Sequence, residues 1–149
     1  FRKINKGNLN PIEGFPEFFF YLKSKKILVG LASNAIRKNV ALTLNELGVH
    51  DLFDSIICGD EVNFGKPNPE MFDKTVSRFK LEKDNCIIFE DSIEGVGAAV
   101  NAGINVIGVT SSSPGDILNN AGCIKSISNY QKFDLSILEW YITNYLRAS

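Results

Sequence analysis

The stretch "NCIIFEDSIEGVGAAV", residues 85–100, decides how the rest of this sequence is interpreted. An apolar run at 86–89 leads directly into two adjacent acids, Glu90 and Asp91, and a segment rich in small residues with helical spacing follows. A short apolar run of this kind is typical of a strand that is buried on both faces, as in a parallel sheet. The two carboxylates need an explanation, because like charges in a partly buried place repel each other.

Strand and helix patterns alternate along the chain on both sides of this stretch. We predict strands at 26–33, 55–60, 86–91, 105–111 and 123–128. We predict helices at 15–25, 36–48, 68–81, 92–102, 114–120 and 135–146. This alternation predicts an α/β fold, in which a Rossmann-like, largely parallel sheet has helices on both faces and right-handed crossovers. We expect the 149 residues to form a single domain, 1–149.

The composition is that of an ordinary globular protein, with 44% hydrophobic residues and a net charge of -1 from 16 basic and 17 acidic residues. No basic run indicates a surface for nucleic acid or for a membrane. The apolar stretches are too short to span a bilayer, and the N-terminus lacks the apolar core of a signal peptide. The three cysteines are odd in number and widely spaced, which predicts reduced thiols in a cytoplasmic protein.

Polar side chains follow the predicted strands at the points where ligands bind to parallel sheets, the carboxyl ends. These side chains are Ser33, Asn34, Lys66, Glu90 and Asp91. A hydroxyl, an amide and an ammonium group that converge are suited to hold a phosphate dianion. Carboxylates are the ligands that Mg²⁺ takes together with water and phosphate oxygens. The strand ends therefore predict phosphoryl chemistry with Mg²⁺.

Each of these residues also has a purely structural interpretation. The acidic pair is equally compatible with the start of the following helix, where Asp91 and Glu94 would form a capping box. Ser33 is equally compatible with a helix cap, Asn34 with a turn residue and Lys66 with a solvated loop lysine.

Two other kinds of site are not supported by the sequence. The segment "GVGAAV" lacks the third glycine of a dinucleotide-binding fingerprint, because Val100 stands in its place, and two acids precede it where a pyrophosphate would lie. The only histidine, His50, falls between a predicted helix and a strand, where a surface role is expected, and no Ser-His-Asp set is visible.

The joint order of three motifs is more specific than any of them alone. An apolar strand that ends in "LASN" (31–34) is followed by "GKPNPEMF" (65–72) and then by a strand that ends in "FEDS" (89–92). This order resembles the haloacid dehalogenase superfamily, and within it the branch of phosphatases and β-phosphoglucomutase-like enzymes. The resemblance covers nearly the whole chain, from near Asn10 to the C-terminal helix.

The resemblance implies a role for each candidate residue. Ser33 would hydrogen-bond the phosphoryl group with the help of the Asn34 backbone or amide, and Lys66 would neutralise the phosphate and orient the nucleophile. Glu90 and Asp91 would hold Mg²⁺, with Asp91 the principal ligand. The implied activity is that of a phosphatase or phosphomutase that acts on a small phosphorylated metabolite, such as a sugar phosphate, through a phosphoaspartyl intermediate.

One part of the family pattern is missing from the sequence. The nucleophile of the family is an aspartate in a D-x-D motif on the first strand, and no D-x-D occurs in these 149 residues. That strand is central in the family, between the strands at 26–33 and 86–91. We therefore expect a core without its first central strand and its cap, and an isolated chain that is inactive. The missing N-terminal segment would be supplied in cis or from another chain.

Two further hypotheses belong to other classes of protein. A non-catalytic phosphate- or metal-binding module that has lost its nucleophile explains the same motifs. A receiver-type signalling domain also combines acids, a lysine and a hydroxyl at strand ends, but its acidic pair precedes the other motifs in the chain, which is not the order found here.

Overall fold

The structure, a computed structural model, describes residues 2–5 and 8–139. The strands are β1 (Arg2–Asn5), β2 (Asn8–Pro11), β3 (Gly30–Ser33), β4 (Ser55–Cys58), β5 (Ile87–Glu90), β6 (Asn105–Val109) and β7 (Lys125–Ile127). The helices are α1 (Phe15–Ser24), α2 (Arg37–Glu46), α3 (Glu70–Phe79), α4 (Ile93–Ala102) and α5 (Gly115–Ala121), and residues 135–139 are also helical. The predicted alternation of strands and helices is confirmed.

The largest differences from the predicted elements lie at the two termini and at one strand, and the bounds of the other elements agree within two residues. An antiparallel hairpin, β1–β2, precedes α1 and was not predicted. The predicted helix at 135–146 lies only partly within the described residues. No helix of the described part of the chain is long and apolar enough to cross a membrane.

The strand predicted at 26–33 is too long, because β3 begins only at Gly30. Its partner β4 begins at Ser55, which lies directly opposite Gly30 in the parallel register. Upstream of that point the ladder is replaced by contacts to Asp54, whose side chain accepts a hydrogen bond from Val29 N at 2.8 Å. Asp54 N also donates a hydrogen bond to Val29 O at 2.8 Å, but no strand of the described residues pairs with 27–29 to continue the ladder.

The parallel strands form two separate sheets in the described part of the chain. One sheet has the order β3-β4 and the other β5-β6-β7. Between β3 and β5 lies a cavity of about 300 Å³, which we call the interstrand slot. Its walls are apolar, and they come from β3, from β5, from α1 and from α3. This split is the arrangement that the sequence predicts for a core without its central strand.

The burial of the strands reflects this split. Strand β6 has a neighbour on each side, and its residues Val106 and Ile107 are 1% and 0% exposed. Strands β3 and β5 each have one neighbour, and 31–33 and 87–90 are only half-buried. The two edges that face the slot therefore retain solvent access that a central strand would remove.

Helices cover both faces of the sheets and thus both faces of the slot. On one face, α1 packs with β5 and the segment 130–133 in an aromatic cluster in which Phe18 contacts Phe89 and Phe133, with ring centroids 5.4 and 5.2 Å apart. On the other face, α4 and α5 pack on β6, and α3 packs on β3 and β4. Any chain segment in the slot would therefore be buried on both faces.

Candidate functional site

Lys66 lies at the carboxyl ends of β3 and β5 and connects them. Its ammonium Nζ donates a hydrogen bond to the backbone oxygen of Ala32 at 3.0 Å and forms an ion pair with the carboxylate of Glu90. The side chains of Lys66 and Glu90 are each 9% exposed, and the Phe72 ring lies 5.0 Å from Nζ. The interpretation of Lys66 as a solvated loop lysine is therefore wrong.

The two adjacent acids have different partners. Glu90 binds the ammonium of Lys66, whereas Asp91 Oδ2 accepts hydrogen bonds from Ser111 Oγ at 3.0 Å and Ser112 Oγ at 2.7 Å. Burial alone would raise the pKa of Asp91, but the hydrogen bonds from Ser112 and Ser111 contribute to holding that pKa below its ordinary value. Repulsion between the acids is limited because each carboxylate has its own stabilising partner.

The acidic pair does not cap the following helix. The N-cap of α4 is Ser92, whose Oγ accepts a hydrogen bond from the Gly95 backbone N–H at 3.1 Å. The capping box suggested by Asp91 and Glu94 is therefore wrong. The carboxylates of Glu90 and Asp91 therefore contact Lys66 and the two serines instead of the helix N-terminus.

Gly95 makes the position of Glu90 possible. A Cβ atom at Gly95 would lie 2.0 Å from Glu90 Oε2, so the carboxylate occupies the space of a side chain on α4. The tight approach of the helix backbone to Glu90 holds this acid beside Lys66. The sequence shows a helix rich in small residues here, and this contact gives one reason for it.

We expect Gly95→Ala to lower the free energy of unfolding by about 1–3 kcal/mol, since extra atoms in a filled space force a shift. The matched control is Gly97→Ala on the same helix, where the nearest atom to the new Cβ, Pro67 Cβ, is 3.3 Å away. Urea unfolding should place this control within about 1 kcal/mol of the parent, because alanine favours the helix. Equal losses in both variants would contradict the contact with Glu90.

Ser33 and Asn34 lie in the turn that follows β3. Ser33 Oγ accepts a hydrogen bond from Ala35 N at 3.2 Å, and its own hydroxyl proton is left to donate. Helix α2 has Ile36 at its N-cap, so the prediction of Ser33 as a helix cap is wrong. Asn34 Oδ1 accepts a hydrogen bond from the backbone N–H of Lys66 at 2.9 Å. The structure thus brings Ser33, Asn34, Lys66 and Glu90 together.

The groups around Asp91 suit a hard cation. The carboxylate of Asp91 and the hydroxyls of Ser111 and Ser112 are all oxygen donors, and the lowered pKa keeps Asp91 ionised. Mg²⁺ binds through one or two carboxylates together with water and phosphate oxygens. Ser111 and Ser112 were not predicted as site residues, although their position at the end of the strand predicted at 105–111 was a usable signal.

One other group of metal-binding side chains lies close together in the described residues, namely Cys58, Asp60 and Glu61. Arg37 already contacts both acids, since its guanidinium Nη2 forms an ion pair with Glu61 Oε2 at 2.5 Å and its backbone N–H donates a hydrogen bond to Asp60 Oδ1 at 3.0 Å. The group lies at the end of β4, and both of its acids already have a hydrogen-bond partner in Arg37.

Comparison with known proteins assigns the family. The family of haloacid dehalogenase-like hydrolases matches residues 1–109. A phosphorylated carbohydrates phosphatase from Thermotoga maritima is 34% identical over 113 residues, which are 74% of this chain and 52% of that protein. The bifunctional riboflavin kinase/FMN phosphatase of Arabidopsis thaliana is 35% identical over 104 residues, 69% of this chain and 27% of that protein.

Solved structures agree with this assignment. A HAD hydrolase of family IA from Entamoeba histolytica superposes with a TM-score of 0.83 and 27% identity, over 93% of this chain and 64% of that one. The β-phosphoglucomutase of Clostridium difficile superposes with a TM-score of 0.73 and 25% identity, over 91% and 58% of the two chains.

The fold is therefore that of a haloacid dehalogenase core, and this chain belongs to the haloacid dehalogenase-like hydrolases. It lies in the branch that contains phosphatases and β-phosphoglucomutase-like proteins, as the sequence predicted. The chain spans 52% of the length of the T. maritima phosphatase, about half of that relative.

Proposed function

We propose that this chain forms part of a Mg²⁺-dependent phosphatase or phosphomutase that acts on a small phosphorylated metabolite, with a sugar phosphate as the favoured class. The observation that carries the proposal is the position of Lys66. A nearly buried ammonium group lies at the carboxyl edge of the sheet beside the Ser33 turn, which is where a family member binds a phosphoryl group. Relatives that act on phosphorylated carbohydrates support the substrate class.

The roles of the residues follow from their contacts. Lys66 neutralises phosphate charge, and the Ser33 hydroxyl donates a hydrogen bond to the phosphoryl group. Asp91 is the principal candidate to hold Mg²⁺, which when bound supplies positive charge to the phosphate. Glu90 fixes the ammonium of Lys66, so its contribution to metal binding is secondary to that of Asp91.

The attacking aspartate is the part of this activity that the 149 residues do not contain, since they include no D-x-D. We propose that a strand from outside these residues carries it and lies in the interstrand slot. The slot favours an extended apolar segment that runs parallel to β3 and β5, because both facing edges are unpaired in the described residues and helices cover both faces. The segment reaches the slot in cis or from another chain.

A second candidate function is a phosphate- or metal-binding module without catalysis. The absence of D-x-D from the sequence favours it, because the same side chains at the sheet edge would still bind phosphate. The two candidates differ in one measurable property, turnover by the chain once a segment that carries a D-x-D strand is joined to it.

We expect the 149-residue chain to show no Mg²⁺-dependent hydrolysis of p-nitrophenyl phosphate, and the chain extended by a segment that carries a D-x-D strand to be active. In the active form, Asp91→Asn and Lys66→Ala should each lower kcat by roughly 10²–10³-fold, as loss of one electrostatic group does in other enzymes. The control is Glu94→Gln, an exposed change three residues beyond Asp91, with unchanged kcat.

Two outcomes would contradict the proposal. Hydrolysis by the 149-residue chain that Asp91→Asn abolishes would show that its nucleophile lies within these residues. An extended chain that binds inorganic phosphate and Mg²⁺ without turnover would establish the binding module instead.

A further inference from the structure

The side chain of Asn34 joins the turn after β3 to the loop that carries Lys66. Asn34 Oδ1 accepts a hydrogen bond from Lys66 N at 2.9 Å. One residue further along, Ala35 O accepts a hydrogen bond from Gly59 N at 2.9 Å, which ties the same turn to the end of β4. The turn is therefore held at two points by the segment that follows β4.

Asn34 occupies space that is open because Gly59 and Gly65 have no side chains. A Cβ atom at Gly65 would lie 2.9 Å from Asn34 Oδ1, and one at Gly59 would lie 2.1 Å from the Asn34 backbone oxygen. A distance under 3.0 Å to these polar atoms requires a displacement of the turn or of the loop. The contact between Asn34 and Lys66 thus depends on small residues on two sides.

We propose that Asn34 is a positioning residue for Lys66. Its side-chain oxygen fixes the backbone of Lys66, so that the ammonium reaches Ala32 O and the carboxylate of Glu90. This inference rests on the proposed function only for the role of Lys66 in phosphate binding, and the contact between Asn34 and Lys66 does not depend on it. It differs from the role that the sequence suggested, in which the amide of Asn34 contacts the phosphoryl group.

The two roles use different atoms of the same side chain. A positioning role needs the oxygen as an acceptor, and a role in phosphate binding needs an N–H donor. Asn34→Asp keeps the oxygen and removes the donor, whereas Asn34→Leu removes both at similar size. The aspartate variant should therefore preserve the contact with Lys66, and the leucine variant should lose it.

Amide hydrogen exchange at Lys66, measured by NMR on the chain labelled with ¹⁵N-lysine in a buffer with an osmolyte that favours the folded state, tests the proposal without substrate. Asn34→Leu should accelerate exchange about tenfold, the factor that corresponds to one hydrogen bond of ~1.4 kcal/mol. Asn34→Asp should stay within about threefold of the parent. Unchanged exchange in Asn34→Leu, or equal acceleration in both variants, would overturn the proposal.

Two further variants keep the test decisive if Asn34→Leu does not fold. Gly65→Ala places a Cβ atom 2.9 Å from Asn34 Oδ1, which disturbs the same hydrogen bond. It should also accelerate exchange at Lys66. Asn39→Leu, an exposed change on α2, is the control and should leave that exchange unchanged. Unchanged exchange in folded Gly65→Ala overturns the proposal. If the extended chain shows no turnover while these exchange effects persist, the proposed function fails and the positioning role stands.

Discussion

Lys66→Met should lower the free energy of unfolding by about 3–5 kcal/mol, the usual cost of removing one partner of a buried ion pair. The change leaves the carboxylate of Glu90, which is 9% exposed, without its cation. It also removes the donor to Ala32 O. Urea unfolding followed by circular dichroism measures the difference, in a buffer with an osmolyte that favours the folded state.

Two controls make this result specific. The double variant Lys66→Met/Glu90→Gln removes both charges and should recover most of the loss, because no uncompensated charge remains. Lys23→Met breaks the pair with Asp54, whose side chains are 35% and 28% exposed, and should cost no more than about 1 kcal/mol. If Lys66→Met is no more damaging than Lys23→Met, the ion pair with Glu90 does not have the burial described.

The fold could be predicted because the apolar runs are local signals and because the order of three motifs along the chain resembles a known family. The apolar run before Glu90 and the order of "LASN", "GKPNPEMF" and "FEDS" fixed the strand ends, and all three segments do meet at one edge. The length of β3 could not be predicted in the same way. Residues 27–29 are as apolar as a strand requires, but a ladder also needs a partner, and β4 begins too late to supply one.

The hydrogen-bond and ion-pair partners of the site residues could not be predicted from the sequence. Two adjacent acids cannot be told apart in a sequence. In the structure, Glu90 pairs with the ammonium of Lys66, whereas Asp91 accepts a hydrogen bond from the hydroxyl of Ser112. Such choices depend on side-chain directions and on the path of loops, which spacing does not encode. The cap at Ser92 was missed for the same reason, because Asp91 offered an equally plausible capping pattern.

The interstrand slot should also limit the stability of the chain. The 149-residue chain alone should be unstable or aggregate, because the slot leaves backbone N–H and C=O groups of β3 and β5 without ladder partners in the described residues. Each such group that is buried costs about 1–3 kcal/mol, and a domain has only about 5–15 kcal/mol in total. A strand in the slot would supply these hydrogen bonds and cover apolar side chains of α1 and α3.

Hydrogen exchange on the two forms of the chain localises the effect. In the form extended by a segment that carries a D-x-D strand, the amides of β3 and β5 should be protected as strongly as those of β6, which already has a neighbour on each side. In the 149-residue form, protection should persist in β6 and be much weaker in β3 and β5. Intact mass and size-exclusion chromatography show whether a co-purified fragment or a second copy fills the slot instead. A monomer of 16.5 kDa that melts cooperatively, with β3 and β5 protected, would mean that these edges are satisfied without a further strand.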